Sequence, residues 1–187
     1  MSGGGRMKKL TEDIETVLFS REQLAEKVRE LGQAITDDYQ DKELLVIGVL
    51  KGAGVFMSDL VREIDGDLRT DYMVVSSYGN ETVSSGKLRI IKDVQQDMKG
   101  WHVLLVEDIV DTGNTLSVLK TIMEERGAES VRICALLDKP SRRVKPVEVS
   151  YRGFEVPDEF IIGYGIDYAE KYRNLPFIGV LKREIYE

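Results

Sequence analysis

The sequence predicts an α/β fold, a parallel twisted sheet flanked by helices. Apolar runs of strand length at 44–50, 103–106 and 131–137 do not alternate with polar residues, which is the pattern of strands covered on both faces. A helical stretch over 115–126, with Gly127 placed to cap it, lies between the second and third runs. Strand, helix and strand thus fit within about 35 residues, a βαβ unit that requires parallel strands. The chain has 187 residues, 42% hydrophobic and 32% charged, enough for one domain with a real core.

Taken in order, residues 1–9 read as a flexible leader or an expression scar, with Met7 as the natural start. Residues 10–187 read as a single domain. Ser20-Arg21-Glu22-Gln23 is a capping box, and Leu24, Val28, Leu31 and Ile35 follow at the spacing of an amphipathic helix. The strand at 44–50 leads into a helix over 54–64, and 71–77 is a further strand. The polar, glycine-rich stretch 78–86 reads as a long mobile loop from which 88–91 returns as a strand. Short strands are expected at 160–163 and 178–181. No repeat, low-complexity tract or linker divides the chain.

The formal net charge is −7 and the pI about 5.0, which argues against a nucleic-acid partner, since such a surface is basic. Phosphate ligands remain open to it, because backbone amides and a metal ion act locally. The single cysteine, Cys134, sits in an apolar run and reads as a buried strand residue; with no disulfide possible, a cytoplasmic setting fits. No apolar run approaches the ~20 residues of a membrane helix, so no membrane partner is expected. His102 reads as a surface residue and Trp101 as packing.

The chemistry concentrates in the stretch from Val103 to Leu116. Glu107 and Asp108 stand at the carboxyl end of an apolar strand, followed by Ile109, Val110 and a third acid, Asp111; Thr112-Gly113-Asn114-Thr115 then turns into a helix. Ligands of open α/β sheets bind at this edge. Free amides and the dipole of a helix start favour a phosphate, Gly113 allows close backbone approach, and Thr112 and Thr115 add hydroxyl donors. Glu107 and Asp108 could accept from sugar hydroxyls or hold hydrated magnesium. One acid before a helix is ordinary capping; three acids with Thr-Gly-Asn-Thr in so short a stretch are not.

This segment resembles the phosphoribosyl pyrophosphate (PRPP) motif of the type I phosphoribosyltransferases, and the chain from about Leu10 to Glu184 resembles their hypoxanthine(-guanine) branch. The resemblance implies that fold, with a small hood built from about 10–20 and 150–187. It implies that Glu107 and Asp108 contact the ribose hydroxyls, that Asp111 is the general base, and that 112–115 hold the 5′-phosphate. Leu50-Lys51-Gly52 matches the pyrophosphate loop, with a non-proline cis peptide at Leu50-Lys51 and Gly52 allowing unusual dihedrals; Arg173 matches a pyrophosphate-binding arginine, and Ser77-Tyr78 the start of a closing loop. Lys139, in Leu-Asp-Lys-Pro-Ser, would donate to O6 of a purine, Phe160 would stack on it, the Ile161 backbone would read its edge, and Asp167 would hold a second magnesium.

The activity implied is Mg²⁺-dependent transfer from PRPP to hypoxanthine or guanine, giving IMP or GMP and pyrophosphate, in a homodimer or homotetramer. Taken singly, Lys139, Phe160 and Arg173 would pass for surface or core residues. The rival readings are a PRPP-sensing gene regulator on the same scaffold and a generic nucleotide-binding module. The acidic balance and the complete purine set speak against the first; Lys51, Lys139 and Arg173 are left unexplained by the second.

Overall fold

The computed structural model describes residues 9–77 and 88–187. Residues 1–8 of the expected leader and the loop expected over 78–86, Tyr78 included, lie outside the described residues. Six strands form the main sheet in the order β4-β3-β2-β5-β6-β7: β2 (Leu44–Leu50), β3 (Leu68–Ser77), β4 (Leu88–Lys92), β5 (His102–Val110), β6 (Ser130–Asp138) and β7 (Tyr151–Glu155). All neighbours are parallel except the β3–β4 edge pair. A smaller antiparallel sheet, β1-β9-β8, joins β1 (Ile14–Phe19) to β9 (Ile178–Leu181) and β8 (Ile161–Ile162).

Helix α1 (Arg21–Asp38) begins as its capping box requires. The Ser20 hydroxyl accepts from the Gln23 amide, and the Gln23 side chain accepts from the Ser20 amide. Its buried stripe of Leu24, Val28, Leu31 and Ile35 packs with α2 (Ala53–Leu60) on one face of the sheet, in one cluster with Leu104, Val106 and Leu136. On the other face, α3 (Asn114–Glu125) buries Leu116, Leu119 and Met123 against Val103, Leu105 and Ile133. Burial on both faces explains why the central strands carry no alternation.

Several elements differ from the sequence reading. β5 runs four residues past Val106, because pairing continues from Glu107↔Ala135 to Val110↔Asp138; Glu107 and Asp108 are therefore strand residues. The helix expected over 54–64 stops at Leu60 and tightens into a 3₁₀ turn over Val61–Glu63. β1, β7 and a short helix α4 (Arg183–Tyr186) were not expected. Gly127 closes α3 at φ +88°, its amide donating to the Glu124 carbonyl. Cys134 is fully buried, and that burial pushes its thiol far above the ordinary range. His102 is half-buried rather than superficial, its Nδ1 2.8 Å from the Ser130 hydroxyl. Trp101 packs against the α3 side of the core beneath Arg69.

Candidate active site

The strand-to-helix turn after β5 is held from both ends. Gly113 caps α3 with φ +79°, a conformation that suits glycine, and a Cβ there would lie 2.6 Å from the Lys145 carbonyl oxygen. That carbonyl belongs to a loop folded behind the turn, where the amides of Val144 and Lys145 both donate to the Thr112 carbonyl at 2.9 Å. Arg143, missed in the sequence, braces the arrangement: its guanidinium pairs with buried Asp138 and donates to the Asp111 carbonyl at 3.2 Å. A cavity of about 270 Å³ opens in front, lined by Glu107, Asp111, Thr112, Gly113 and Thr115, with Leu50 and Val75 opposite. Asn114 begins α3 and points outward, and its amide donates to the Thr112 hydroxyl at 3.4 Å. The first amides of a helix have no partner within it, so this cavity presents donors to an anion.

Glu107 and Asp108 are adjacent at the end of β5, and their carboxyls lie near enough to interact. Glu107 lines the cavity, while Asp108, 8% exposed, turns under Gly52 and accepts from the Ile109 amide at 2.7 Å. Burial pushes both carboxyls above their ordinary range, Glu107 the further because the Asp108 charge adds to it. Gly52 has ordinary helical dihedrals, φ −57° and ψ −45°. It is glycine for space instead: a Cβ would lie 1.7 Å from Asp108 Oδ2, and its own carbonyl oxygen occupies the place of a Cβ on Gly165. The peptide Leu50-Lys51 is cis.

The two cations matched to pyrophosphate meet at one acid that the sequence did not single out. Lys51 Nζ lies 2.7 Å from Glu170, and Arg173 lies 3.4 Å from the same carboxylate and 2.9 Å from Asp167. The Lys51 hydrogen bond and then its charge hold the Glu170 carboxyl below the usual range. Arg173 also donates to the Gly165 carbonyl at 2.8 Å, while its buried Nε has no partner among the described residues. Ser77 ends β3 opposite Leu88.

A second cavity, of about 630 Å³, adjoins the first and shares Ile109 and Asp111 with it. Its lining brings together Lys139, Phe160, Ile161 and Asp167, far apart in sequence. Lys139 is 7% exposed; its ammonium donates to the Glu159 carbonyl at 2.6 Å and lies 3.8 Å from Asp158. Phe160 is 36% exposed, whereas Ile161 is buried. Asp111 Oδ1 lies 2.9 Å from Arg142 Nε, yet no donor points at this buried oxygen; Arg142 also reaches Asp158 at 3.3 Å. Glu107 and Asp108 are carboxylate donors suited to a hard cation, and a divalent ion would relieve the cost of ionising both in one buried place. Among the described residues no group of three or more such ligands forms a cage, so an ion held here would take its other ligands from substrate and water.

The carboxyl end of the sheet, with a helix-capping anion turn, two strand acids and an adjoining apolar-polar pocket, has the form of a nucleotide-type binding site. The family described as "Phosphoribosyl transferase domain" matches residues 18–169. The chain is 55% identical over 175 residues to the hypoxanthine-guanine phosphoribosyltransferase of Bacillus subtilis (strain 168), covering 94% of this chain and 97% of that protein. It is 53% identical over 182 residues to the bifunctional protein TilS/HprT of Listeria innocua, covering 97% of this chain but spanning only 28% of that longer protein. The crystal structure of a hypoxanthine phosphoribosyltransferase from Staphylococcus aureus superposes with a TM-score of 0.93 at 45% identity, over 97% of this chain and 100% of that one. The chain belongs to the phosphoribosyltransferase family, in its hypoxanthine-guanine branch.

Proposed function

We propose that the chain transfers the 5-phosphoribosyl group of PRPP to N9 of hypoxanthine, and of guanine, releasing pyrophosphate and giving IMP or GMP. The setting would be cytoplasmic purine salvage. The observation that carries this reading is the pair of adjoining cavities sharing Asp111 and Ile109, one lined by the anion turn and the other by Lys139 and Phe160. A sugar phosphate in the first would present its C1 to a base in the second.

On this reading the 5′-phosphate sits on Asp111 to Thr115, the ribose hydroxyls on Glu107 and Asp108, and the pyrophosphate near Lys51, Gly52 and Arg173, with Ser77 and Tyr78 beyond. Lys139, donor-only, faces O6, Phe160 stacks on the ring, and Ile161 reads its edge through the backbone. Attack by N9 on C1 develops oxocarbenium character, so the chain's contribution is alignment, charge complementarity and exclusion of water. Asp111, whose carboxylate is shared by both cavities and ion-paired to Arg142, is the acceptor for the N7 proton.

Glu107, Asp108 and Asp167 would hold Mg²⁺, which when bound offsets the charge of the leaving pyrophosphate. We read 10–187 as one domain, with the smaller sheet and its connections, about 10–20 and 150–187, as the hood over the base. The working unit on this reading is a homodimer or homotetramer.

The test is a phosphoribosyl-transfer assay with hypoxanthine, guanine, xanthine and adenine, each with PRPP and Mg²⁺. Turnover of hypoxanthine with adenine slower by about 10⁴-fold or more is expected, since Lys139 would face another donor in adenine. PRPP binding without turnover of any base would reject the enzyme in favour of a PRPP-sensing protein.

A further inference from the structure

The turn over 168–172 is held in a backbone form that side chains disfavour. Ala169, Glu170 and Tyr172 have φ of +50°, +63° and +75°, the left-handed region that residues with a Cβ rarely adopt. Such a form persists where the surroundings impose it, and here they do. The Glu170 amide donates to the Asp167 carboxylate at 2.8 Å. The Lys171 amide donates to the Tyr168 carbonyl at 3.0 Å, and the Tyr168 amide to the Lys171 carbonyl at 3.2 Å. Tyr172 is buried with Ile162, Leu175 and Leu181, and its hydroxyl donates to the Asp13 carboxylate at 2.9 Å. These contacts fix the turn without using the Glu170 side chain.

The turn presents the Glu170 carboxylate to both cations assigned to pyrophosphate. Lys51 lies 2.7 Å from one of its oxygens and Arg173 3.4 Å from the other. The two cations depend on it unequally. Arg173 also has Asp167 at 2.9 Å and the Gly165 carbonyl at 2.8 Å, whereas Lys51 pairs with no other acid among the described residues. The Lys51 and Glu170 side chains are each 65% exposed, so an anion can reach the pair from solvent. An ion pair so exposed is weak and exchanges readily.

We propose that Glu170 is an affinity-setting residue of the pyrophosphate site, an internal counter-anion that occupies Lys51 and Arg173 when pyrophosphate is absent and so lowers the affinity for it. This rests on the reading that Lys51 and Arg173 hold pyrophosphate. A polyanion arriving there must draw the two cations from Glu170 or accept its charge as a close neighbour; either opposes binding. On departure the pairs form again, which favours release of a product that fixed cations would otherwise retain. The base side, where Lys139 and Phe160 stand, has no part in this exchange.

The test uses the full chain with Glu170→Gln, Lys51→Met and the Lys51→Met/Glu170→Gln double variant. Glutamine meets the same backbone demand as glutamate, so the exchange removes the charge alone. The Kd of pyrophosphate at fixed Mg²⁺, the KM for PRPP, the KM for hypoxanthine and the Kd of IMP, which carries no pyrophosphate, are measured. Glu170→Gln should tighten pyrophosphate about two- to five-fold, the range of an exposed ion pair, and lower the PRPP KM in step. The hypoxanthine KM and the IMP Kd should hold. The gain should narrow as salt rises from about 50 to about 500 mM, since exposed charges are screened over that range, and it should shrink in the Lys51→Met background. The proposal is overturned if Glu170→Gln leaves pyrophosphate affinity unchanged. It is overturned if affinity weakens, which would make Glu170 a holder of the cations in their binding positions. It is overturned equally if the IMP and hypoxanthine constants move by the same factor, or if the full gain survives without Lys51. A normal loss of pyrophosphate affinity with Lys51→Met beside no gain with Glu170→Gln rejects this proposal alone; no loss with Lys51→Met rejects the placement of pyrophosphate on Lys51, and the proposal with it.

Discussion

On the phosphate side of the site the binding groups belong to one continuous turn, from Asp111 to Thr115, gripped between β5 and α3 and backed by Arg143 and the amides of Val144 and Lys145. On the base side they are the tips of side chains from separate segments: Lys139 after β6, Phe160 before β8 and Asp167 in a turn beyond. The first arrangement specifies a geometry and is indifferent to most side-chain identities, since main-chain amides do the work. The second specifies hydrogen-bond polarity and ring placement, and a single side chain can change it. On the proposed reading, recognition of the sugar phosphate would fall to backbone, and choice of base to side chains.

Substitutions on the two sides should therefore separate. Base choice is tested at Lys139. With Lys139→Gln, the preference for hypoxanthine over adenine should narrow by about 10–100-fold, as one unmet polar contact costs about 1–3 kcal/mol, while PRPP KM holds. An undiminished preference, read from kcat/KM for the two bases, would remove base choice from this side chain.

Asp111 belongs to both cavities and sharpens the contrast. Asp111→Asn keeps the turn's backbone and should slow the single-turnover rate by about 10²–10⁴-fold, the usual cost of losing a general base, with PRPP affinity little altered. An unchanged rate would send the N7 proton elsewhere.

Gly113→Ala probes the turn alone. A non-glycine residue at φ +79° is strained by about 1–2 kcal/mol, and its Cβ would press on the Lys145 carbonyl. PRPP KM should rise about ten-fold, with the hypoxanthine-to-adenine ratio unmoved. A shift of that ratio would join what the comparison separates.

The smallest effect lies away from both sides. Asp71 on β3 is largely buried, which alone would raise its carboxyl; the amides of Gln95 and Tyr72 and the ammonium of Lys92 outweigh this and hold it below the ordinary range. A depressed carboxylate stabilises the fold above its unfolded value and loses that contribution as pH falls through the folded one. Asp71→Asn should cost about 1 kcal/mol near neutrality, and the gap to the unsubstituted chain should close at acid pH in denaturant titrations, with both KM values unchanged.

What the sequence determined by itself was local. The capping box, the unalternating strands, the βαβ unit and the anion turn are each written in a few neighbouring residues, because capping, strand burial and a helix start depend on near neighbours. The resemblance then marked Lys51, Lys139, Phe160, Asp167 and Arg173 as candidates, although singly none stands out from surface or core.

The tertiary structure decided what depends on distant pairing. β5 extends through Glu107 and Asp108 only because β6 lies beside it, so the acids that seemed to end an apolar run are pinned in the sheet. β1 was hidden because its partner, β9, stands at the other end of the chain. Gly52 is required by Asp108, and Gly165 by the Gly52 carbonyl, contacts that no local pattern contains. Glu170 and Arg143 acquire meaning from Lys51 and Asp138 respectively. Side-chain identity is a local fact, but a side chain's neighbours across the fold are set by packing, and those neighbours fix which cavity it lines and which charge it meets.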